Sequence, residues 1–263
     1  MSINHETLAA RLRRAYSEGV VSPLRDGLEA SDANSAYLVQ DINTRFWKQE
    51  GRRIVGRKIG LTAKTVQAQL GVDVPDYGVL FEDMEVLDGG TLPVSKTIQP
   101  KAEAEVALIL GRDLDLSDPT PDDIADATDY AVAAIEVVDS RIADWKITYA
   151  DTVADNGSSG YFVLGKEHKK LSNLDLYACG MALEVNGEVR SVGAGAACLG
   201  HPLKAAAWLA RTLTSLGIGL KAGDILLTGA LGPMVSMTPG DHVQAVIGGL
   251  GAVSFTYQDD RRP

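Results

Sequence analysis

The segment Lys101-Ala-Glu-Ala-Glu105 runs directly into the apolar stretch Val106 to Leu110, so two carboxylates stand two residues apart where burial begins. Side chains of an extended chain alternate between faces, which puts Glu103 and Glu105 on one face, roughly 7 Å apart, with Ala107 and Ile109 following them. Two like charges entering a core are costly unless a cation neutralises them. A third acid, Glu136, sits within Ala131-Val-Ala-Ala-Ile-Glu-Val-Val138, apolar on both sides, and is read as buried too. Three inward carboxylates with no His or Cys cluster form a hard oxygen donor set, suited to Mg²⁺ or Mn²⁺ with positions left open for substrate oxygens. The same Glu-x-Glu pattern also suits a solvated strand face, and Lys101 or Arg141 offers an alternative counter-charge to a metal.

The elements that must position these acids change character along the chain. Asn4 caps a helix with the apolar stripe Leu8, Leu12 and Ala15, ending near Gly19, and a second helix runs from about Ser35 through Tyr37, Val39, Ile42 and Phe46 to Gly51. Residues 1–52 therefore read as a helical portion. From Arg53 on, short β-like runs separated by Gly, Pro and Asp dominate: Ile54 to Ile59, Val79 to Phe81, Glu103 to Leu110, Tyr161 to Leu164, Met181 to Val185, Asp224 to Thr228, His242 to Ile247 and Ala252 to Tyr257. Helices interrupt them at Thr62 to Leu70, Pro121 to Ala127 and Pro202 to Leu216. The expected class is α+β, with a mixed, largely antiparallel, curled sheet and flanking helices over residues 53–263.

Four glycine-rich or polar segments have the look of site walls. Gly56-Arg-Lys-Ile-Gly-Leu-Thr62 joins a strand to a helix and puts Lys58 on the glycine face of that strand, where a ligand has room; a plain exposed lysine is the alternative. Asp151-Thr-Val-Ala-Asp-Asn-Gly-Ser-Ser-Gly160 offers hydroxyls and backbone N–H groups in a turn. Gly195 to Gly200 precedes His201-Pro202, where a lone histidine at a helix start reads as a cap or packing residue. Thr228-Gly-Ala-Leu-Gly-Pro233 follows an apolar strand with two glycines, a pattern of close backbone approach.

Composition removes several classes of function. The chain has 263 residues, 45% hydrophobic content and a formal net charge of -10. A core of this size is a globular protein's, and the negative charge argues against nucleic acid or an anionic membrane surface as partner, because both need clustered Lys and Arg. The basic group Arg11-Leu-Arg-Arg14 lies beside Glu6 and Glu18 and reads as a solvated helix face. Two cysteines, Cys179 and Cys198, show neither a disulfide framework nor zinc spacing. With no leader pattern at the start and no stretch near the ~18 apolar residues of a membrane span, the expected location is the cytoplasm.

Seven segments, taken in order, resemble one family. They are Gly56 to Thr62, Gln69-Leu-Gly-Val72 with Pro75-Asp-Tyr-Gly78, Gln99 to Glu105, Glu136-Val-Val-Asp-Ser-Arg141, Asp151 to Asn156, Leu199-Gly-His-Pro202 and Thr228 to Met234. Together they are similar to the hydratase/decarboxylase family of meta-cleavage aromatic catabolism, within the fumarylacetoacetase-like superfamily. The resemblance implies that superfamily's β-roll or barrel. It also implies Mg²⁺ or Mn²⁺ on Glu103, Glu105 and Glu136, general acid/base roles for Lys58 and Asp76, and substrate contacts from Ser158, Ser159, Leu80 and Gly229. Gly157 stands where the family pattern would have alanine. The implied reaction is hydration of 2-hydroxypenta-2,4-dienoate to 4-hydroxy-2-oxopentanoate. The alternatives are decarboxylation of 4-oxalocrotonate (2-oxo-3-hexenedioate) or a non-catalytic subunit of that decarboxylase's complex. The partners implied are the 2-oxo/2-hydroxy-dienoate substrate, further copies of the chain in a homo-oligomer, and a downstream aldolase or sister decarboxylase.

Overall fold

The computed structural model describes residues 4–261; residues 1–3 and 262–263, at the extremities of the 1–52 and 53–263 portions, lie outside it. Asn4 caps α1 (His5–Glu18) by accepting the Thr7 N–H at 3.1 Å, and Asp32 does the same for α2 (Ala33–Gln49) at Ser35, 3.0 Å. The chain then runs through β1 (Ile54–Gly60), α3 (Lys64–Gln69), β2 (Asp76–Phe81), β3 (Glu85–Leu87), β4 (Gly90–Pro93), β5 (Pro100–Leu110), α4 (Pro121–Ala127), β6 (Thr128–Asp139) and α5 (Tyr149–Ala154). It ends with β7 (Ser159–Leu164), β8 (Gly180–Val185), β9 (Glu188–Ala194), α6 (Pro202–Ser215), β10 (Ile225–Ala230), β11 (Val235–Ser236), β12 (His242–Ile247) and β13 (Gly251–Gln258). The α+β class and the helical start follow the sequence expectation. The window around Glu136 proves to be the centre of a twelve-residue strand, β6. Helix α3 begins at Lys64 rather than Thr62, because Ala63 is still extended (φ -86°, ψ 126°) and stands as the N-cap.

The strands divide between two sheets. The larger follows the order β2-β1-β10-β5-β6-β7-β3, with β11 also on β5, and the smaller follows β4-β13-β12-β8-β9. Most pairings are antiparallel, whereas β1 with β10, β3 with β7 and β4 with β13 are parallel. Period-2 alternation on β5 assigns the two faces of the large sheet: Ala102, Ala104, Val106, Leu108 and Leu110 enter the main core, with Leu183, Val243 and Val253 of the small sheet and Leu209 of α6. Glu103, Glu105, Ala107 and Ile109 take the opposite face, where Ala107 and Ile109 join Leu80, Phe81, Ala134 and Phe162 in a separate apolar cluster. Helices α1, α2 and α5 share a third cluster through Leu8, Leu12, Val39 and Val153. Gln40 of α2 donates to the carbonyls of Tyr77 and Val153, at 3.0 and 2.9 Å, and so ties the helical start to β2 and α5.

The large sheet curls strongly. In a flat sheet β1 and β6 would lie three strand spacings apart, about 14 Å. The Lys58 ammonium of β1 nevertheless reaches to 3.4 Å from Glu136 Oε2 of β6. Register shifts in β1, β6 and β10 supply extra local twist, and the concave face that results carries the acids.

Candidate metal centre and active site

Glu103 and Glu136 are direct cross-strand partners in the β5–β6 ladder, and Glu105 pairs with Ala134 next along it. That register places one carboxylate oxygen from each of Glu103, Glu105 and Glu136 within 4.8 Å of one another. Glu105 and Glu136 are fully buried, while Glu103 is only partly buried, on the open side. The Gly229 N–H donates to Glu105 Oε2 at 2.8 Å and aims that carboxylate. Glu105 Oε1 and both Glu136 oxygens have no partner of hydrogen-bonding geometry, and neither do Asp76 Oδ1 and the Ser159 hydroxyl.

Among the described residues the Lys58 ammonium is the main positive charge on these acids, with Lys101 a smaller influence on Glu103. Lys58 is buried, ion-paired with Glu136, and donates to the Gly157 carbonyl at 2.9 Å. Burial works against its charged form, but Glu136, Asp76, Glu103 and Glu105 outweigh that and hold its pKa above the ordinary lysine value. The acids move the other way. Burial first, then Glu136, pushes the Glu103 carboxyl up to about 7 against the pull of Lys58. Glu105 is raised well above the usual range by burial and by the two other acids, and Glu136 is raised by burial despite Lys58. The counter-charge of Glu136 is therefore Lys58. Arg141 pairs with Asp155 instead, and the Lys101 ammonium lies over the Trp145 ring, 4.4 Å from its centroid.

Asp76 lies at the start of β2, opposite Gly60 of β1, with Gly78 opposite Lys58 and Leu80 opposite Gly56. Lys58, Asp76, Gly78 and Leu80 thus share the acids' face. Gly60 is needed there, because a Cβ would overlap Asp76 Oδ1 and come within 3.1 Å of Lys58 Nζ. Burial raises the Asp76 pKa, with Lys58 opposing.

The segment after α5 closes the site. Asn156, Gly157 and Ser158 form a left-handed turn with φ of 60°, 61° and 53°, an uncommon sequence of backbone states that persists only where its surroundings dictate it. The Asn156 side chain accepts from Val79 N–H at 2.7 Å and donates to Val79 O at 2.9 Å, as a neighbouring strand would. Ser158 Oγ lies 3.2 Å from Thr152 Oγ, and Ser159 opens β7 beside Glu136. Sequence reading pointed to Lys58, Asp76, Leu80, Glu103, Glu105, Glu136, Ser158, Ser159 and Gly229, and the fold gathers these around one concave face. It gives no role to Asn156 and does not pair Asp155 with Arg141, although the family-like segments Glu136 to Arg141 and Asp151 to Asn156 contain all three and Arg141 stands there as a possible counter-charge of the acids. His201 lies away from this cluster as the cap of α6, its Nδ1 accepting the Leu203 N–H at 3.1 Å. Both cysteines are buried and free.

An all-oxygen donor set with three buried oxygens that lack a hydrogen-bond partner, beside the Lys58 ammonium, fits Mg²⁺ or Mn²⁺, the hard ions that prefer carboxylates and keep positions for other oxygen ligands.

Comparison with known proteins agrees with this chemistry. Residues 55–257 match the family model described as fumarylacetoacetate (FAA) hydrolase C-terminal. The chain is 56% identical to 2-keto-4-pentenoate hydratase 1 of Dechloromonas aromatica (strain RCB), over 97% of each chain. It is 54% identical to 2-keto-4-pentenoate hydratase of Burkholderia vietnamiensis (strain G4 / LMG 22486), over 96% of this chain and 97% of that one. Among solved structures, 4-oxalocrotonate decarboxylase of Pseudomonas putida G7, complexed with magnesium and adipate, superposes with a TM-score of 0.92 at 36% identity, over 96% of this chain and 97% of the other.

Proposed function

The chain belongs to the fumarylacetoacetate hydrolase family, and we infer that its concave site adds water to 2-hydroxypenta-2,4-dienoate, giving 4-hydroxy-2-oxopentanoate. It is a hydro-lyase of aromatic meta-cleavage catabolism, dependent on Mg²⁺ or Mn²⁺. The observation that carries the assignment of residues is the convergence of Glu103, Glu105 and Glu136 within 4.8 Å, with Lys58 beside them. The higher identity to hydratases, 56% against 36% for the decarboxylase, favours hydration over loss of CO₂.

Glu103, Glu105 and Glu136 would hold the metal ion, which when bound supplies Lewis acidity toward the substrate's carboxylate and 2-oxygen. The chain's own groups then manage protons. The Lys58 ammonium is held in its charged form and donates, so it stabilises negative charge on the 2-oxygen when the enol hydroxyl gives up its proton. Asp76 is the proton carrier: it is buried on the face of Lys58, opposite Gly60, and burial raises its pKa above the ordinary carboxylate value with Lys58 opposing. As a carboxylate it takes the proton of the enol hydroxyl and delivers it to C5 as the dienol becomes the α,β-unsaturated 2-oxo acid, and the carboxylate so regenerated takes one from the water that adds at C4. That proton is returned at C3, so the sum is the dienol plus one water. The unpartnered hydroxyl of Ser159 and that of Ser158 anchor the substrate's carboxylate, and Leu80 forms the apolar wall. Gly229 acts by aiming Glu105.

No helix among the described residues is long and apolar enough to cross a membrane. A cytoplasmic homo-oligomer that hands its product to an aldolase is the setting we propose. The test is to incubate metal-stripped protein with 2-hydroxypenta-2,4-dienoate, follow the dienol absorbance with and without Mn²⁺, and identify the product by mass. Gain of one water only when Mn²⁺ is present is expected. Turnover of 4-oxalocrotonate with loss of CO₂, and none of the dienoate, would overturn the reading.

A further inference from the structure

Arg141 is fully buried and is not among the groups assigned to the reaction, yet it is one of the most heavily hydrogen-bonded side chains in the structure. Its Nε donates to Asp155 Oδ1 at 2.7 Å, its Nη1 to the carbonyls of Asp139 and Ser159, and its Nη2 to the Asp155 carbonyl at 2.6 Å. Its own backbone N–H donates to Asp155 Oδ2 at 2.9 Å. A single guanidinium thus binds the end of β6 and both ends of the segment Asp155 to Ser159. That segment contains the left-handed turn, whose Gly157 carbonyl receives the Lys58 ammonium, whose Asn156 side chain clamps β2, and which ends at Ser159 beside Glu136.

We propose that Arg141 is a positioning residue for the reaction: with Asp155 as its partner, it holds the 155–159 segment in the conformation that sets Lys58 and Ser159 against the substrate. The inference rests on the function proposed above. Only a planar fork with several donors can satisfy three carbonyls and a carboxylate together, which a lysine's point charge cannot do. The structure also provides a means of replacing the group. Arg141 lines a cavity of about 400 Å³ between α1, α2 and the large sheet, whose wall includes the half-exposed Tyr16, so a small cation has a route to the vacated place.

The experiment compares wild type and Arg141→Ala for dienoate hydration at saturating Mn²⁺, with and without methylguanidinium at millimolar concentration, with methylammonium as control. The expected result is a loss in kcat of at least about tenfold with KM changed much less, the signature of a lost transition-state arrangement. Methylguanidinium restores part of the loss and methylammonium does not. If leaving Asp155 unpaired prevents folding, Arg141→Met with Asp155→Leu removes both charges, an exchange that buried pairs often tolerate. That folded double variant should still bind Mn²⁺ and lose kcat. Arg141→Ala with kcat near wild type, a folded variant whose loss methylguanidinium leaves unrepaired, or a double variant of normal kcat would each overturn the proposal. Failure of the wild type itself to hydrate the dienoate would instead refute the assigned reaction.

Discussion

Replacing Glu103 by Gln separates the cost of the acid cluster from its use. A carboxyl moved from its ordinary 4.5 to about 7 prefers to be protonated in the folded protein. The stability this preference gives is fully present below pH 4.5 and is lost as the pH rises through 7. At about 1.4 kcal/mol per pH unit, the penalty on the metal-free fold at pH 8 is roughly 3 kcal/mol. Glu103 is partly exposed and water screens it, so about 1–3 kcal/mol is the working range. Gln keeps the size and the hydrogen-bonding capacity while fixing the neutral form. Metal-stripped Glu103→Gln should therefore melt several degrees above metal-stripped wild type at pH 8, at roughly 2–4 °C per kcal/mol. The gap should shrink to a small residue at pH 5, where the wild-type carboxyl is protonated in the fold. Mn²⁺ should reverse the order: at a hundredfold excess over Kd it adds about 2.7 kcal/mol to a protein that binds it, and the variant lacks one of the three carboxylates. Differential scanning calorimetry at both pH values, with and without Mn²⁺, reads all of this, and hydratase activity should vanish. A metal-free variant no more stable than wild type at pH 8, or equal Mn²⁺ shifts in both, would refute the picture of three mutually repelling ligands.

The other expectations are more direct. Asp76→Asn should lower kcat by about a hundredfold or more, the usual scale for a lost general acid/base, while leaving Mn²⁺ affinity unchanged in a calorimetric titration. Lys58→Met should lose activity as well, but it also removes the counter-charge of Glu136, so its metal-free melting temperature should fall and recover when Mn²⁺ is added; an unchanged melting temperature would argue against the ion pair. Mn²⁺ must displace the proton that Glu103 carries below pH 7, so its affinity should weaken by about tenfold between pH 8 and pH 6, and a flat profile would exclude that carboxyl as a ligand. Gly60→Ala should drive a methyl into the Asp76 carboxylate and cost most of kcat in a protein that still folds and binds Mn²⁺.

Much of the site was legible because its signals are local. Period-2 alternation put Glu103 and Glu105 on one face, and the apolar surroundings of Glu136 marked it as buried; both follow from the strand geometry that β5 and β6 adopt. The glycines around Lys58 likewise pointed to the open face of β1. What local patterns could not carry is non-local pairing. The division of the strands into two sheets depends on partners far apart in the chain, such as β1 with β10. The counter-charge of Glu136 could not be chosen among nearby cations, because Lys58 reaches it only through the curl of the sheet. Asn156 looked like ordinary turn chemistry, and its role as a surrogate strand partner of Val79 emerges only when the left-handed turn sets it against β2. Short elements such as β3, β4 and α5 carry too few residues for periodicity to register.

The buried ion pair of Lys58 with Glu136 also bears on how the protein meets its metal in the cell. An acid cluster with no internal cation and ordinary carboxylate pKa values would have to assemble around an ion, which would then be sealed in as part of the fold. With an ammonium already offsetting one charge, and with a carboxyl that takes up a proton near neutrality, the nascent chain can complete its structure empty and be loaded afterwards. On the metal site proposed above, occupancy would then follow the free concentrations of magnesium and manganese rather than the history of synthesis, and the same molecule would exchange one ion for the other as supply changes.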